Sequence, residues 1–275
     1  MSQTVSHEQI ALWAVVLEGL APEEILAEVA PHFPGKIALA TSFGPEDNVL
    51  LELIARAKLQ VDAFTLDTGF LFAETYALWS KLEERYGLKI RAVGADTPRA
   101  PEPGQAPPWQ ADPDACCELR KVKPLRAVLG TLDAWVTGIR RDQTPERANA
   151  KVVEWDARFG LVKVNPLAAW TSDDVWSHLR RLEIPFNPLH EQGYASIGCA
   201  PCTSPVKTGE DPRSGRWRGR EKTECGLHLR AAAPRPPSPW PSPPAARGAR
   251  EVAAVELPLP ARGERVGERG EEDPQ

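Results

Sequence analysis

Cysteine is scarce in this 275-residue chain: there are five, an odd number. That argues against a disulfide framework and for thiol or metal chemistry in a reducing compartment. No apolar run approaches the roughly 18 residues a membrane span requires. The opening MSQTVSHEQIALWAVV has neither the basic stretch nor the cleavage site of a secretory leader. The expectation is a cytoplasmic protein with no membrane partner. A basic excess is missing too, since the formal net charge is −5, so no nucleic acid partner is expected. What is present is a mixed composition with nine tryptophans, as in a globular protein with one catalytic domain.

Hydrophobic periodicity supplies the order of elements. Residues 5–29 carry apolar positions at helical spacing, with Pro22-Glu23-Glu24 suited to a helix start. KIALATSF (36–43) reads as a buried strand running into Gly44-Pro45, followed by the amphipathic EDNVLLELIARAK. VDAFTLD (61–67), the helix LFAETYALWSKLEERYG and the strand KIRAVGA repeat that unit. Residues 98–113 form a Pro-rich loop leading into a helical ACCELRKVKPLRAVLG. AWVTGIR reads as a further strand, WDARFGLVKVNPL as irregular or hairpin structure, and Thr171-Ser172-Asp173-Asp174 as a helix start. Strands alternating with helices imply an α/β fold with a parallel sheet. Beyond Leu229 the chain turns to Pro, Ala, Arg, Gly and Glu, which predicts disorder over residues 231–275.

In an open α/β sheet, ligands bind at the C-terminal ends of the strands. Three such ends carry polar, Gly-containing loops: Ser42-Phe43-Gly44, Asp67-Thr68-Gly69 and Gly138-Ile139-Arg140. Ser42 and the amides after Gly44 stand where a helix begins, which suits a phosphate-like oxyanion.

Four cysteines fall into two close pairs, Cys116-Cys117 and Cys199/Cys202. Soft thiolates at such spacing select zinc or an iron–sulfur cluster, and an adjacent pair is atypical of tetrahedral zinc. On a helix, Arg120 and Lys121 each lie four residues beyond one member of the pair and could offset thiolate charge. Lys121 is the better candidate to stand between a cluster and an anionic substrate. Cys225 is isolated in ECGLH, after Arg213, Arg216, Arg218, Arg220 and Lys222. Neighbouring cations favour the nucleophilic thiolate and could grip an oxyanion. Gly215, Gly219 and Gly226 suggest that this segment moves.

Taken in order, SFGPED, LDTG, CCELRKVKPL, GIRRDQ, CAPC and ECGLH resemble the assimilatory adenylyl-sulfate (APS) reductase family, over roughly residues 30–230. That family is related to phosphoadenylyl-sulfate (PAPS) reductases. The resemblance implies an adenine nucleotide alpha-hydrolase-like (ATP-pyrophosphatase-like) parallel-sheet domain over residues 1–230. Its N-terminal helices would occupy residues 1–30 and a mobile catalytic segment residues 203–230. It implies that Cys225 attacks adenylyl sulfate to give an S-sulfocysteine, from which thioredoxin or a similar thiol donor releases sulfite. Ser42 and Gly44 would form the phosphate loop, Asp67, Thr68 and Gly69 would lie near the adenosine, and Gly138 and Arg140 would form the arginine loop. Lys121, Arg213 and Arg216 would contact the phosphosulfate, and His228 would lie near the attacking sulfur. Cys116, Cys117, Cys199 and Cys202 would hold one [4Fe–4S] cluster per subunit in a homo-oligomer. The sequence departs from the family at Phe70 and Ala73, where relatives carry Arg or Tyr and Pro, and in its long tail. The alternatives are a PAPS or dual-substrate reductase and, in another class, a non-catalytic nucleotide- or zinc-binding module.

Overall fold

Six short strands form one sheet in the order β3-β2-β1-β4-β6-β5. The structure is a computed structural model that describes residues 5–94, 106–220 and 222. Cys225, His228 and the predicted disordered tail lie outside the described residues. The strands are β1 (Ile37–Thr41), β2 (Asp62–Leu66), β3 (Ile90–Val93), β4 (Ala134–Val136), β5 (Val153–Asp156) and β6 (Leu161–Val164). All neighbours pair in parallel except β5 and β6, an antiparallel hairpin. It closes through the amides of Phe159 and Gly160 on the Asp156 carbonyl, so the hairpin reading of WDARFGLVKV holds.

Alternate side chains explain how both faces of the sheet are covered. Ile37, Leu39, Ala134 and Val136 face a core built with α1 (His7–Val16), α2 (Pro22–Val29), α3 (Pro45–Arg56), α4 (Ala73–Tyr86) and α8 (Ser172–Arg181). Ala38, Phe64 and Trp135 face the other way, onto Leu125, Val128 and Leu129 of α7 (Lys123–Leu129). Helix α3 runs under the sheet and buries Val49, Leu50, Leu51, Leu53 and Ile54, each contributing about 1.5–3 kcal/mol of transfer free energy. Local signals set the helix ends. Ser6 caps α1 by accepting from the Gln9 amide, and Glu24 accepts from the Ala21 amide at the start of α2. Thr171 and Asp174 form a reciprocal capping box at α8.

Two helical stretches differ from the sequence reading. The Pro-rich loop contains a short helix, α5 (Pro108–Ala111), and α6 (Pro113–Cys117) begins within it. Between α6 and α7 the chain makes a π-helical turn over Glu118–Val122. Its physical cause is Pro124, which has no N–H to give the Arg120 carbonyl and whose ring would clash with it in a regular α-helix.

The chain leaves β1 for β2 and β3, then returns to place β4 on the other side of β1. This reversal opens the crevice between the β1 and β4 loops. Asn165 holds β4 to the hairpin at this end. It is fully buried, its Oδ1 accepts from Thr137 Oγ1 at 2.5 Å, and its Nδ2 donates to the Lys151 carbonyl at 2.8 Å. Asn165→Ala strands these partners and is expected to cost about 2–3 kcal/mol in urea denaturation; a loss below about 0.5 kcal/mol would contradict this role.

Candidate active site

A cavity of about 550 Å³ occupies the crevice, within the range of small-molecule sites. Its floor is the Ser42–Gly44 turn. Phe43 adopts a left-handed φ of 61°, a strained conformation for a bulky residue. Its ring is buried and stacks on Trp79 at 5.5 Å, and its amide donates to Thr41 Oγ1. The Ser42 amide and hydroxyl donate to Asp47 Oδ2 at 2.6 and 2.9 Å. Burial pushes the Asp47 carboxyl up to about 6 and the neighbouring Glu46 charge adds to the rise, while hydrogen bonds from Ser42 and Gly44 oppose it.

The opposite wall is the loop after β4. A Cβ on Gly138 would lie 2.5 Å from Asp47 Oδ1 and 2.8 Å from Glu46 Cβ, so glycine is what allows the two loops to touch. Arg140 is buried, with Nε donating to Glu46 Oε1 at 2.9 Å and Nη1 donating to both oxygens of Asp142. Gln143 accepts from the Arg140 amide and from Arg147 Nη1, and donates to Glu46. The Ser172 amide at the start of α8 donates to Asp142.

A second, much smaller void of about 10 Å³ is lined by Cys116, Cys117, Cys199 and Cys202. The first pair ends α6, which Asp112 caps through the Asp114 and Ala115 amides. The second pair brackets a short turn, where Ala200 donates to the Phe70 carbonyl. Thr68 Oγ1 lies 3.2 Å from Cys199 Sγ. Arg120 is buried rather than solvated, donating to the Thr68 carbonyl at 3.1 Å and lying over the Phe70 ring at 4.6 Å. None of the four cysteines forms a disulfide. Burial pushes the Cys116 and Cys202 thiols up, the Cys199 charge adds to this, and Lys121 opposes it for both. Metal ligation deprotonates thiols held in this way. Among the described residues no three Cys, His, Asp or Glu side chains are drawn close enough to hold a single ion. Four converging thiols flanked by Arg120, Lys121 and Arg216 nonetheless form a donor set suited to a thiolate-held cluster.

Lys121 and Arg216 line both the cavity and the cysteine void. Arg216 lies over the Trp217 ring at 4.7 Å, and a Cβ on Gly198 would meet its guanidinium at 2.1 Å. Gly215 is explained by packing, since its Cβ would sit 2.2 Å from the Ser204 carbonyl oxygen. Over the described part of the 203–230 segment, Ser204 and Gly215, and Trp217 and Cys202, are joined by backbone hydrogen bonds. Of the basic residues here, Arg213 and Arg216 line the cavity. Arg218 instead engages Ser204, Pro205 and Glu210, while Arg220 reaches the Gln110 carbonyl and Lys222 pairs with Asp114.

The structure thus brings Ser42, Gly44, Lys121, Gly138, Arg140, Arg213 and Arg216 around one cavity. Thr68 faces the cysteines instead. Asp67 and Gly69 stand outside both linings, because the Asp67 carboxylate accepts from the Gly69 amide and from Tyr76 Oη. Sequence reasoning missed Glu46, Asp47, Gln143, Arg147 and Gly198. The first four lie in the quoted SFGPED motif and in or just after GIRRDQ; Glu46 meets Arg140 and Gln143 from far along the chain, while Asp47 and Arg147 pair with the near neighbours Ser42 and Gln143 in loops that follow no periodic rule. Gly198 carried no signal beyond its place before the second cysteine pair.

Residues 36–205 match the phosphoadenosine phosphosulfate reductase domain family. The adenosine 5'-phosphosulfate reductase 1 of Bacillus subtilis is 49% identical over 201 residues, covering 72% of this chain and 86% of the relative. The phosphoadenosine 5'-phosphosulfate reductase of Gloeobacter violaceus is 47% identical over 216 residues, covering 77% and 90%. The crystal structure of phosphoadenylyl-sulfate (PAPS) reductase from Candida auris, a phosphate complex, superposes with a TM-score of 0.66 at 28% identity, over 75% of this chain and 100% of that one.

The raised Asp47 carboxyl has a measurable consequence. Its folded value of about 6 exceeds the model-peptide 3.8, so its contribution is fully present below pH about 4 and is lost as the pH rises through about 6. Relative to Asp47→Asn, the native protein should lose about 3 kcal/mol between pH about 4 and 7. Chemical denaturation of both proteins across that range checks this, and a stability difference that does not vary with pH would refute it.

Proposed function

Because the chain belongs to the phosphoadenosine phosphosulfate reductase family, we propose that it reduces adenylyl sulfate to sulfite and AMP in assimilatory sulfate reduction, with Cys225 as nucleophile. The observation that carries this reading is the wall common to the nucleotide-sized cavity and the four-cysteine void, formed by Lys121 and Arg216. It puts cations where an anionic phosphosulfate would meet a thiolate-rich centre.

In the first step the Cys225 thiolate attacks the sulfur of the sulfuryl group. The bond from sulfur to the phosphate oxygen breaks, and AMP leaves with the electron pair. In the second step a thiolate of thioredoxin or a similar dithiol attacks the Cys225 sulfur, and sulfite leaves with the pair that had joined it to the enzyme. The donor's second thiol resolves the mixed disulfide, so the dithiol supplies both electrons. Ser42 and the Gly44 turn cradle the phosphate, Lys121, Arg213 and Arg216 hold the phosphosulfate, and the family resemblance assigns His228 a place beside the reacting sulfur. Arg140, paired with Glu46 and Asp142, shapes the loop around the nucleotide. Cys116, Cys117, Cys199 and Cys202 would hold a [4Fe–4S] cluster, which when bound supplies negative charge that Lys121 and Arg216 balance beside the substrate. The Gloeobacter relative is named for phosphoadenosine 5'-phosphosulfate, and a dual-substrate reductase is the second reading.

Cys225→Ser should abolish sulfite release while leaving AMP binding within about twofold; sulfite released at the native rate would sink the nucleophile assignment. Anaerobically purified protein should carry about four irons and four sulfides per chain with a brown absorption band. One zinc and no colour would instead favour a zinc module.

A further inference from the structure

Arg141 stands between two residues of the cavity lining, Arg140 and Asp142, yet is not part of that lining. Its side chain is committed elsewhere. The guanidinium meets the Glu18 carboxylate fork to fork, Nη1 donating to Oε1 at 2.7 Å and Nη2 to Oε2 at 2.8 Å, the bidentate arrangement in which such pairs are strongest and most directional. Nε donates to the Ala150 carbonyl at 2.8 Å, and the Arg141 amide donates to the Ala168 carbonyl at 3.0 Å.

Local structure gives no reason for an acid at position 18. Glu18 follows Leu17, the C-cap of α1, where the helix dipole disfavours a carboxylate. The compensating charge comes from Arg141, 123 residues along the chain. Its hydrogen bonds hold the Glu18 carboxyl below the usual carboxylate range, and Glu18 in turn raises the guanidinium above its own. The support beneath the acid is rigid, because Ile10, Trp13 and Leu17 are packed into the core. The two side chains are 31% and 40% exposed, so solvent screens their attraction. What the pair contributes is therefore direction more than global stability.

The bond to Ala150 joins residues nine apart, and between them lie Asp142, Gln143, Thr144 and Arg147 of the cavity lining. This stretch has one short turn of its own, Pro145–Arg147. A loop that must be ordered by its ligand weakens binding by the entropy lost, whereas one already held in the binding shape does not. We infer that Arg141 is a positioning residue: pinned by Glu18 and stapled to Ala150, it keeps the 142–147 wall of the cavity in its nucleotide-binding shape, so that the end of α1 braces the site from outside it. The inference rests on the adenine nucleotide reading of the cavity.

The test combines hydrogen–deuterium exchange, read by mass spectrometry, with calorimetric titration of AMP. The proteins are the native chain, Glu18→Ala, Arg141→Ala and the double variant, each studied well below its own melting midpoint. Exchange over residues 142–149 should rise about tenfold in Arg141→Ala and about threefold in Glu18→Ala, and bound AMP should suppress the increase. AMP affinity should fall by similar factors. The double variant should match Arg141→Ala, because Glu18 acts only through Arg141. Native-like AMP affinity in folded Arg141→Ala would overturn the inference, as would losses that simply add in the double variant. Faster exchange throughout the sheet with AMP affinity unchanged would show an ordinary structural ion pair and overturn it too. If Arg141→Ala does not fold, Glu18→Ala decides, since it lies outside the loop: native exchange over 142–149 in that variant overturns the staple. A folded native protein that binds no AMP overturns the adenine nucleotide reading instead.

Discussion

The carboxyl of Asp47 is the constraint on which both walls of the cavity depend. It sits in the first turn of α3, where a carboxylate is ordinarily favoured by the helix dipole, yet burial dominates and raises it to about 6. What the group gives in return is geometric. By accepting from the Ser42 amide and hydroxyl, it holds the Ser42–Gly44 turn in a shape that forces Phe43 to φ 61°. Strain of that kind costs about 1–3 kcal/mol, and it is offset by burial of the Phe43 ring on Trp79. The far side of the same carboxyl meets the backbone of Gly138. Because no side chain intervenes, the loops after β1 and β4 come together, and Arg140 can reach Glu46.

The helical run through the cysteine pair links this cavity to the second site. Cys117 ends α6, the π turn carries Arg120 and Lys121, and Pro124 lies in the first turn of α7. An α-helix through this stretch would keep side chains four apart on one face. The wider π turn changes that phase. Arg120 turns inward to the Thr68 carbonyl and the Phe70 ring, while Lys121 reaches the wall between the two voids. The sequence element that makes the turn necessary is one residue, Pro124, so the placement of both cations follows from a missing N–H.

These contacts also explain what could be read in advance. Strand β1, helix α3 and the capping box of α8 were legible because each depends on local periodicity or spacing. The pairing of Cys116-Cys117 with Cys199 and Cys202 was legible as chemistry, since short spacings of soft ligands carry meaning by themselves. The Asp67-Thr68-Gly69 loop was not legible in detail. It follows a strand end as a ligand loop would, but Asp67 spends its carboxylate on Gly69 and Tyr76, and Thr68 turns to Cys199. Likewise five basic residues between Arg213 and Lys222 look alike in sequence. Only tertiary partners such as Glu210, Gln110 and Asp114 separate those that line the cavity from those that hold the segment down. The glycines divide in the same way, since the Ser204 carbonyl leaves no room for a side chain at Gly215.

Charge completes the picture, because the whole chain and its cavity have opposite signs. The chain carries a formal net charge of −5, yet the cavity is lined by five cations, Lys121, Arg140, Arg147, Arg213 and Arg216, against the carboxyls of Glu46, Asp47 and Asp142. Glu46 and Asp142 are both engaged by Arg140, and Asp47 faces the Ser42 donors, so the acids serve to fix loops rather than to cancel the field. At the cysteine end, Lys121 and Arg216 belong to the linings of both voids. A concave wall of one sign focuses potential and raises the local concentration of an oppositely charged ligand. An anionic ligand therefore finds in the cavity a lining whose acids are spent on fixing loops, as Arg140 with Glu46 and Asp142 shows, and whose cations reach as far as the thiols.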